Sequence, residues 1–257
     1  MKTSMLILCV LGMIAANACA FTGPEAPLHG GGQDVIVYAK AHRMQRILLK
    51  LPQSYDPTKS YTLLLGLHGN GGNAEGLSSA FARYAKEQIL VAFLDGQYPR
   101  LSGGYSWYYE TGNKNLWEKF DTLSISNLLE TINAISKQYS IGNVFVFGFS
   151  QGASLAYMTG LRNPGLIRGV AAIAGSMPEI DNEGAVVHSG DITNARRVKM
   201  FIARGRSDNQ VGKNHFNAQK EFFTKQGYDV TTLEFDAGHG LTDELMERVL
   251  EWIKEKQ

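Results

Sequence analysis

Residues 144–152, VFVFGFSQG, constrain the fold more than any other stretch of the chain. Two valines and two phenylalanines run without a polar break into Gly148-Phe149-Ser150-Gln151-Gly152, and a helix-like pattern follows. An unbroken apolar run of this kind marks a strand covered on both faces. Turning such a strand straight into a helix crowds the two backbones at the corner. A Cβ at position 148 or 152 would collide there, so glycine is expected at both. Ser150 then sits at the apex with its hydroxyl directed out of the turn. The pentapeptide alone is a weak signal, and its meaning rests on what stands before and after it.

The rest of the chain supplies that context. Val35–Ala39 and Met44–Leu51 read as an antiparallel opening pair, and Tyr61–Leu67 (YTLLLGL) as a buried parallel strand ending in His68-Gly69-Asn70-Gly71-Gly72. Asn73 is placed to cap a helix running to about Gln88. Ile89–Leu94 is the next strand. Residues 97–121 are rich in Tyr and Trp and read as a long irregular segment, a length at which loops are often functional. Ile125, Leu128, Leu129, Ile132 and Ile135 recur at helical spacing. After the central strand, a helix from Gln151 is stopped by Asn163-Pro164-Gly165. Gly169–Ala174, Lys199–Ala203 and Val230–Phe235 are further strands, with residues 177–195 between the first two read as a polar loop. Helices are expected over 215–226 and after Thr242. Strands alternating with helices mean βαβ units: an α/β fold with a mostly parallel central sheet and helices on both faces. No linker or repeat divides residues 21–257, which read as a single domain.

Residues 1–20 stand apart. Lys2, the apolar run Met5–Ile14 and the small residues Ala16–Ala20 have the three parts of a secretory signal peptide, with a cut before Phe21. Ala18-Cys19 also resembles the end of a lipobox, so lipidation of Cys19 is the alternative. Either reading predicts a secreted or periplasmic protein. Cys9 and Cys19 are the only cysteines, so the mature chain has no disulfide and no cysteine nucleophile. With 25 basic against 24 acidic residues and no basic run, nucleic acid is not an expected partner.

In a parallel sheet, reactive groups collect at the carboxyl ends of the strands. Ser150, Asp208 and His239 each follow a strand, in the order Ser, Asp, His. Such a trio can activate a serine: His239 would take its proton, and Asp208 would orient the imidazole and stabilise it when charged. Asp236 is the rival acid, but it shares a strand end with the base. Backbone N–H groups of Asn70, with Gly71 as second choice, and of Gln151 are the expected donors to a developing oxyanion. Trp107 and Tyr108 are candidate walls of a substrate pocket, against the plainer reading of a packed loop. No cluster has metal-ligand spacing, and neither metal nor cofactor is expected.

LLLGLHGNGG, GFSQGASLAY, RGRSDNQV and AGHG together resemble the α/β-hydrolase superfamily, in particular phospholipase/carboxylesterase, feruloyl-esterase and polyhydroxybutyrate-depolymerase-like esterases. The resemblance spans Tyr61 to the last helix, and it implies a structural role for His68, hydrogen-bonded to the loop backbone. It implies an α/β-hydrolase fold without a large cap domain and hydrolysis of a carboxylic ester through an acyl-enzyme. Short-chain or aromatic, feruloyl-like esters are the expected substrates. A polyester depolymerase, lysophospholipase or thioesterase would use the same triad, and a non-catalytic hydrolase-fold binding protein is the alternative outside enzymes.

Overall fold

The computed structural model describes residues 34–40, 44–81, 88–109 and 114–257. The expected signal peptide, Cys19 and the glycine-rich lead-in lie outside them. The first half of the chain forms β1 (Asp34–Lys40), β2 (Met44–Lys50), β3 (Tyr61–Leu67), α1 (Ala74–Phe81), β4 (Ile89–Leu94), β5 (Tyr98–Pro99), β6 (Tyr105–Ser106) and α2 (Trp117–Ser136). Next come β7 (Ile141–Phe149), α3 (Gln151–Arg162), β8 (Ile167–Ile173) and α4 (Ser189–Asn194). β9 (Lys199–Gly205), α5 (Lys213–Lys225), β10 (Val230–Phe235) and α6 (Asp243–Lys256) complete the chain.

Among the described residues, eight strands form one sheet in the order β1-β2-β4-β3-β7-β8-β9-β10. β2 runs antiparallel to both its neighbours, and every pair from β4 to β10 is parallel. β7, the strand that carries the opening motif, lies near the middle between β3 and β8. Its side chains alternate between two cores. Val144 and Val146 pack on one face with Leu128 and Ile132 of α2 and Leu155 of α3. Phe145 and Phe147 pack on the other with Phe81 of α1 and Trp252 of α6. This is the period of two expected of a strand, with apolar residues demanded on both sides because helices cover both. α6 shows the helical counterpart: Leu245, Met246, Val249, Leu250, Trp252 and Ile253 are buried. Burial of such side chains is worth roughly 1.5–3 kcal/mol each, and that anchors the helix.

Helix starts follow their caps. Asn73 Oδ1 accepts from Gly76 N at 2.7 Å, and Asp95 Oδ1 accepts from Ala74 N at 2.8 Å, so α1 is capped from its own chain and from the end of β4. Thr242 Oγ1 accepts from Leu245 N at 3.2 Å at the start of α6. Three expectations need correction. α2 begins at Trp117, so Trp117 and Phe120 belong to a helix and not to an irregular segment. Residues 98–106 contain the short β5–β6 hairpin. The loop after β8 contains α4, whose start is closed by His188 N donating to Asp191 Oδ2 at 2.9 Å. These local hydrogen bonds do not depend on a repeating apolar pattern. α1 ends at Phe81, and the expected extension over 82–87 lies outside the described residues.

Candidate active site

At the end of β7 the chain makes the sharp corner the motif predicts. Ser150 has φ 54° and ψ −117°, a left-handed conformation that a non-glycine residue adopts at a cost of order 1–3 kcal/mol. It is held by Ser150 N donating to Ile173 O at 2.8 Å and Ala153 N donating to Ser150 O at 2.9 Å. A Cβ on Gly148 would stand 2.2 Å from Gly152 O, and one on Gly152 would stand 2.4 Å from Leu67 O. The corner therefore closes only with glycine at both positions.

The strand ends bring three side chains together. His239 Nε2 lies 2.9 Å from Ser150 Oγ, and His239 Nδ1 lies 2.9 Å from Asp208 Oδ2. The carboxylate can only accept, so Nδ1 carries the hydrogen, and in the neutral ring Nε2 accepts from the serine hydroxyl. The Asp208 carboxyl is fully buried. Burial pushes its pKa up, but hydrogen bonds from Val211 N–H, His239 and Gln210 N–H outweigh burial and hold it below the usual carboxylate range. Those amides lie 3.0 and 2.8 Å from Asp208 Oδ1. The rival acid, Asp236, points into solvent and pairs with Arg206 at 2.9 Å.

Two residues that shape the acid's turn escape sequence reasoning. Gly205 ends β9 where a Cβ would lie 2.2 Å from Gly238 O and 2.3 Å from Ala237 O, so the segments carrying Asp208 and His239 meet only across a glycine. Arg204 is buried, and its guanidinium donates to Val211 O at 3.0 Å, Arg206 O at 3.1 Å and Asp208 O at 3.3 Å. It also pairs with Glu234 at 3.0 Å. An arginine inside the apolar strand KMFIARG was the available signal. A buried guanidinium needs acceptors, and the turn around Asp208 supplies three.

The HGNGG loop passes over the serine: a Cβ on Gly69 would be 3.3 Å from Ser150 Cβ. His68 is structural, as expected. It is buried, its Nδ1 donates to Gly69 O at 2.7 Å, and its Nε2 accepts from Gly96 N at 3.0 Å. Burial lowers its pKa despite that carbonyl and Asp95. Gly71, the second choice as oxyanion donor, already gives its N–H to Tyr105 O at 2.9 Å, and Tyr105 N returns a bond to Gly72 O at 2.8 Å. The β5–β6 hairpin thus straps the loop down. Asn70 N–H takes no backbone acceptor among the described residues, and its side chain accepts from Arg100 Nη1 at 2.8 Å. Gln151 N–H, first in α3, has no intrahelical partner.

Trp107 corrects the reading of a pocket wall. It is 1% exposed, its Nε1 donates to His68 O at 2.8 Å, and its ring lies 4.8 Å from the His68 ring. Its backbone N donates to Gln151 Oε1 at 2.8 Å, while Gln151 Nε2 donates to Ser106 Oγ at 3.0 Å. Trp107 is a packed bolt between loops. Tyr108, its neighbour, does face a cavity of about 650 Å³. The cavity starts at Gln151, beside the serine, and runs along α3 past Ser154 and Met158. Among the described residues no group of His, Cys, Asp and Glu could hold a metal ion. No described helix is long and apolar enough to cross a membrane.

No curated protein matches the chain. Among solved structures, it is similar to a carboxylesterase of Bacillus cereus (20% identity, TM-score 0.63, covering 83% of this chain and 95% of that one). It is also similar to a carboxylesterase of Mesorhizobium loti (18%, 0.66, 86% and 99%). A ferulic acid esterase of Anaeromyces mucronatus, solved in complex with ferulic acid, is similar at 19% identity and a TM-score of 0.64, covering 88% of this chain and 90% of that one. At these identities the likeness concerns the fold. The sequence profile of the phospholipase/carboxylesterase family matches residues 52–257. The chain therefore belongs to that family and has the α/β-hydrolase fold.

Proposed function

We propose that the protein hydrolyses carboxylic esters through an acyl-enzyme formed on Ser150. Membership of an esterase family supports ester hydrolysis in general. The observation that carries the finer reading is the unbroken relay Ser150–His239–Asp208, with both links at 2.9 Å. In this reading Ser150 Oγ attacks the ester carbonyl carbon while its proton moves to His239 Nε2, and Asp208 stabilises the imidazolium. The oxyanion is taken by the N–H groups of Asn70 and Gln151. A donor of this kind is typically worth about 2.7–4 kcal/mol of barrier. His239 then protonates the departing alkoxide as the C–O bond breaks. A water molecule, deprotonated by His239, attacks the acyl-enzyme and releases the acid and the free serine.

The cavity beside Gln151 supports a short-chain or aromatic ester, since its walls include Tyr108, Tyr109, Trp117 and Phe120. The signal-peptide pattern of residues 1–20 supports a secreted or periplasmic site of action. Hydrolysis of p-nitrophenyl acetate by the wild type and by Ser150→Ala tests the proposal. The serine variant is expected to lose at least about 10³-fold in kcat/KM. Equal rates for the two proteins would leave a hydrolase fold without the activity.

A further inference from the structure

The two backbone donors assigned to the oxyanion share one neighbour. Residues 105–107, at the end of the β5–β6 hairpin, are hydrogen-bonded to the segments that carry both. Tyr105 is paired with the HGNGG loop: Gly71 N donates to Tyr105 O at 2.9 Å, and Tyr105 N donates to Gly72 O at 2.8 Å. The next two residues reach the start of α3. Trp107 N donates to Gln151 Oε1 at 2.8 Å, and Gln151 Nε2 donates to Ser106 Oγ at 3.0 Å. Ser106 is buried, and its hydroxyl donates onward to Tyr108 O at 2.9 Å.

Neither donor is fixed by its own segment. α3 starts without a side-chain cap, and the hydroxyl at its N-cap, that of Ser150, is engaged with His239. Asn70 stands between Gly69 and Gly71, and Gly71 is at φ 78°. The hairpin supplies the missing restraint on the loop. A Cβ on Gly104 would stand 2.0 Å from Gly71 O, and Arg100 Nη1 donates to Asn70 Oδ1 at 2.8 Å. On the other side, the Gln151 amide offers one acceptor and one donor in a single plane. Trp107 N–H and Ser106 Oγ match both in one orientation. An oxyanion is served only by donors at about 2.7–3.1 Å, and a misplacement of about 1 Å can cost about 10²-fold in rate. The spacing of the Asn70 and Gln151 N–H groups is therefore what the site has to hold.

We propose that residues 105–107 bracket the oxyanion hole, with the Gln151 side chain as the positioning residue for the donor on its own backbone and Ser106 as its anchor. The proposal rests on the esterase reading of Ser150. It gives the Gln151 side chain a part in the reaction separate from that of its N–H.

The test compares p-nitrophenyl acetate with its thiono counterpart, in which sulfur replaces the carbonyl oxygen. Sulfur is the weaker acceptor and lies farther from carbon, so donors placed for oxygen serve it poorly. Gln151→Met keeps the side-chain length and the backbone N–H but loses both bonds to the hairpin. It is expected to lower kcat/KM for the oxygen ester by about 10–10²-fold and to shrink the oxygen-to-sulfur ratio of kcat/KM by about tenfold. Damage that is only structural slows both esters alike and leaves that ratio unchanged. Ser106→Ala is expected to shrink the ratio in smaller degree and to add little to Gln151→Met in the double variant, since both changes release the same bracket. An unchanged ratio in Gln151→Met overturns the proposal; should that variant fail to fold, an unchanged ratio in Ser106→Ala does so. Fully additive effects in the double variant also overturn it. A wild type that hydrolyses neither ester faster than Ser150→Ala overturns the esterase reading itself, whereas an active wild type with unchanged ratios in the variants overturns the bracket alone.

Discussion

Replacing Asp121 by Asn should stabilise the protein at alkaline pH and change little in acid. The wild-type carboxyl titrates at about 7, against an ordinary 3.8, because burial disfavours its charge. Between those values the folded protein holds a proton that the unfolded chain has released, so stability falls as pH rises from 3.8 through 7. The difference is about three pH units, and at 1.36 kcal/mol each it amounts to about 4 kcal/mol. Asp121 keeps some contact with solvent, and screening reduces the expected cost to about 2–4 kcal/mol. Asparagine has nearly the same shape, carries no charge and breaks no hydrogen bond, since Asp121 makes none among the described residues. Tyr108, Tyr109 and Glu179, the other ionisable groups on the cavity walls among the described residues, are common to both proteins and cancel in the comparison. Urea unfolding of both proteins at about pH 4 and about pH 8.5 measures the effect. The two should unfold together in acid, and the variant should be the more stable in base. Equal stability at the higher pH, or a wild type that is more stable there, would refute the burial argument.

Asp208→Asn should lower kcat for p-nitrophenyl acetate by about 10⁴, because the amide can hold His239 in the wrong tautomer. Asp236→Asn should have little effect, as Asp236 is exposed and pairs only with Arg206 among the described residues; the opposite ranking in steady-state kinetics would reassign the acid. Trp107→Ala should cost about 3–5 kcal/mol in urea unfolding, through the cavity it leaves and the lost bond to His68 O. A Trp107→Ala protein of normal stability but altered ester selectivity would restore Trp107 to the pocket wall.

Where the sequence was legible, one physical rule governed the residues concerned. The apolar runs of β3, β4 and β7 announce strands covered on both faces, and Gly148 and Gly152 announce a corner too tight for a Cβ. Ser150, Asp208 and His239 were found because parallel strands deliver their following residues to one edge of the sheet. Where it was not, the outcome depended on partners far away in the chain. The apolar stripe starting at Ile125 marks only the sheet-facing side of α2. Trp117 and Phe120 face the cavity and break the pattern, so the first two turns read as loop. An aromatic residue in a loop can become a wall or a bolt, and Trp107 became a bolt because His68 O, 39 residues away, accepts from its indole. Asp121, a lone acid near a helix start, looks like an ordinary solvated charge until the rings around it are in place. Arg204 holds carbonyls of a turn that exists only in the folded chain.

The most direct test of the central claim is to react the protein with p-nitrophenyl acetate, quench within the pre-steady state and locate the label by peptide mass spectrometry. The account predicts a burst of p-nitrophenol and one acetyl group on the peptide containing Ser150, with both absent in Ser150→Ala. Acetylation elsewhere, or turnover that persists without Ser150, would contradict it.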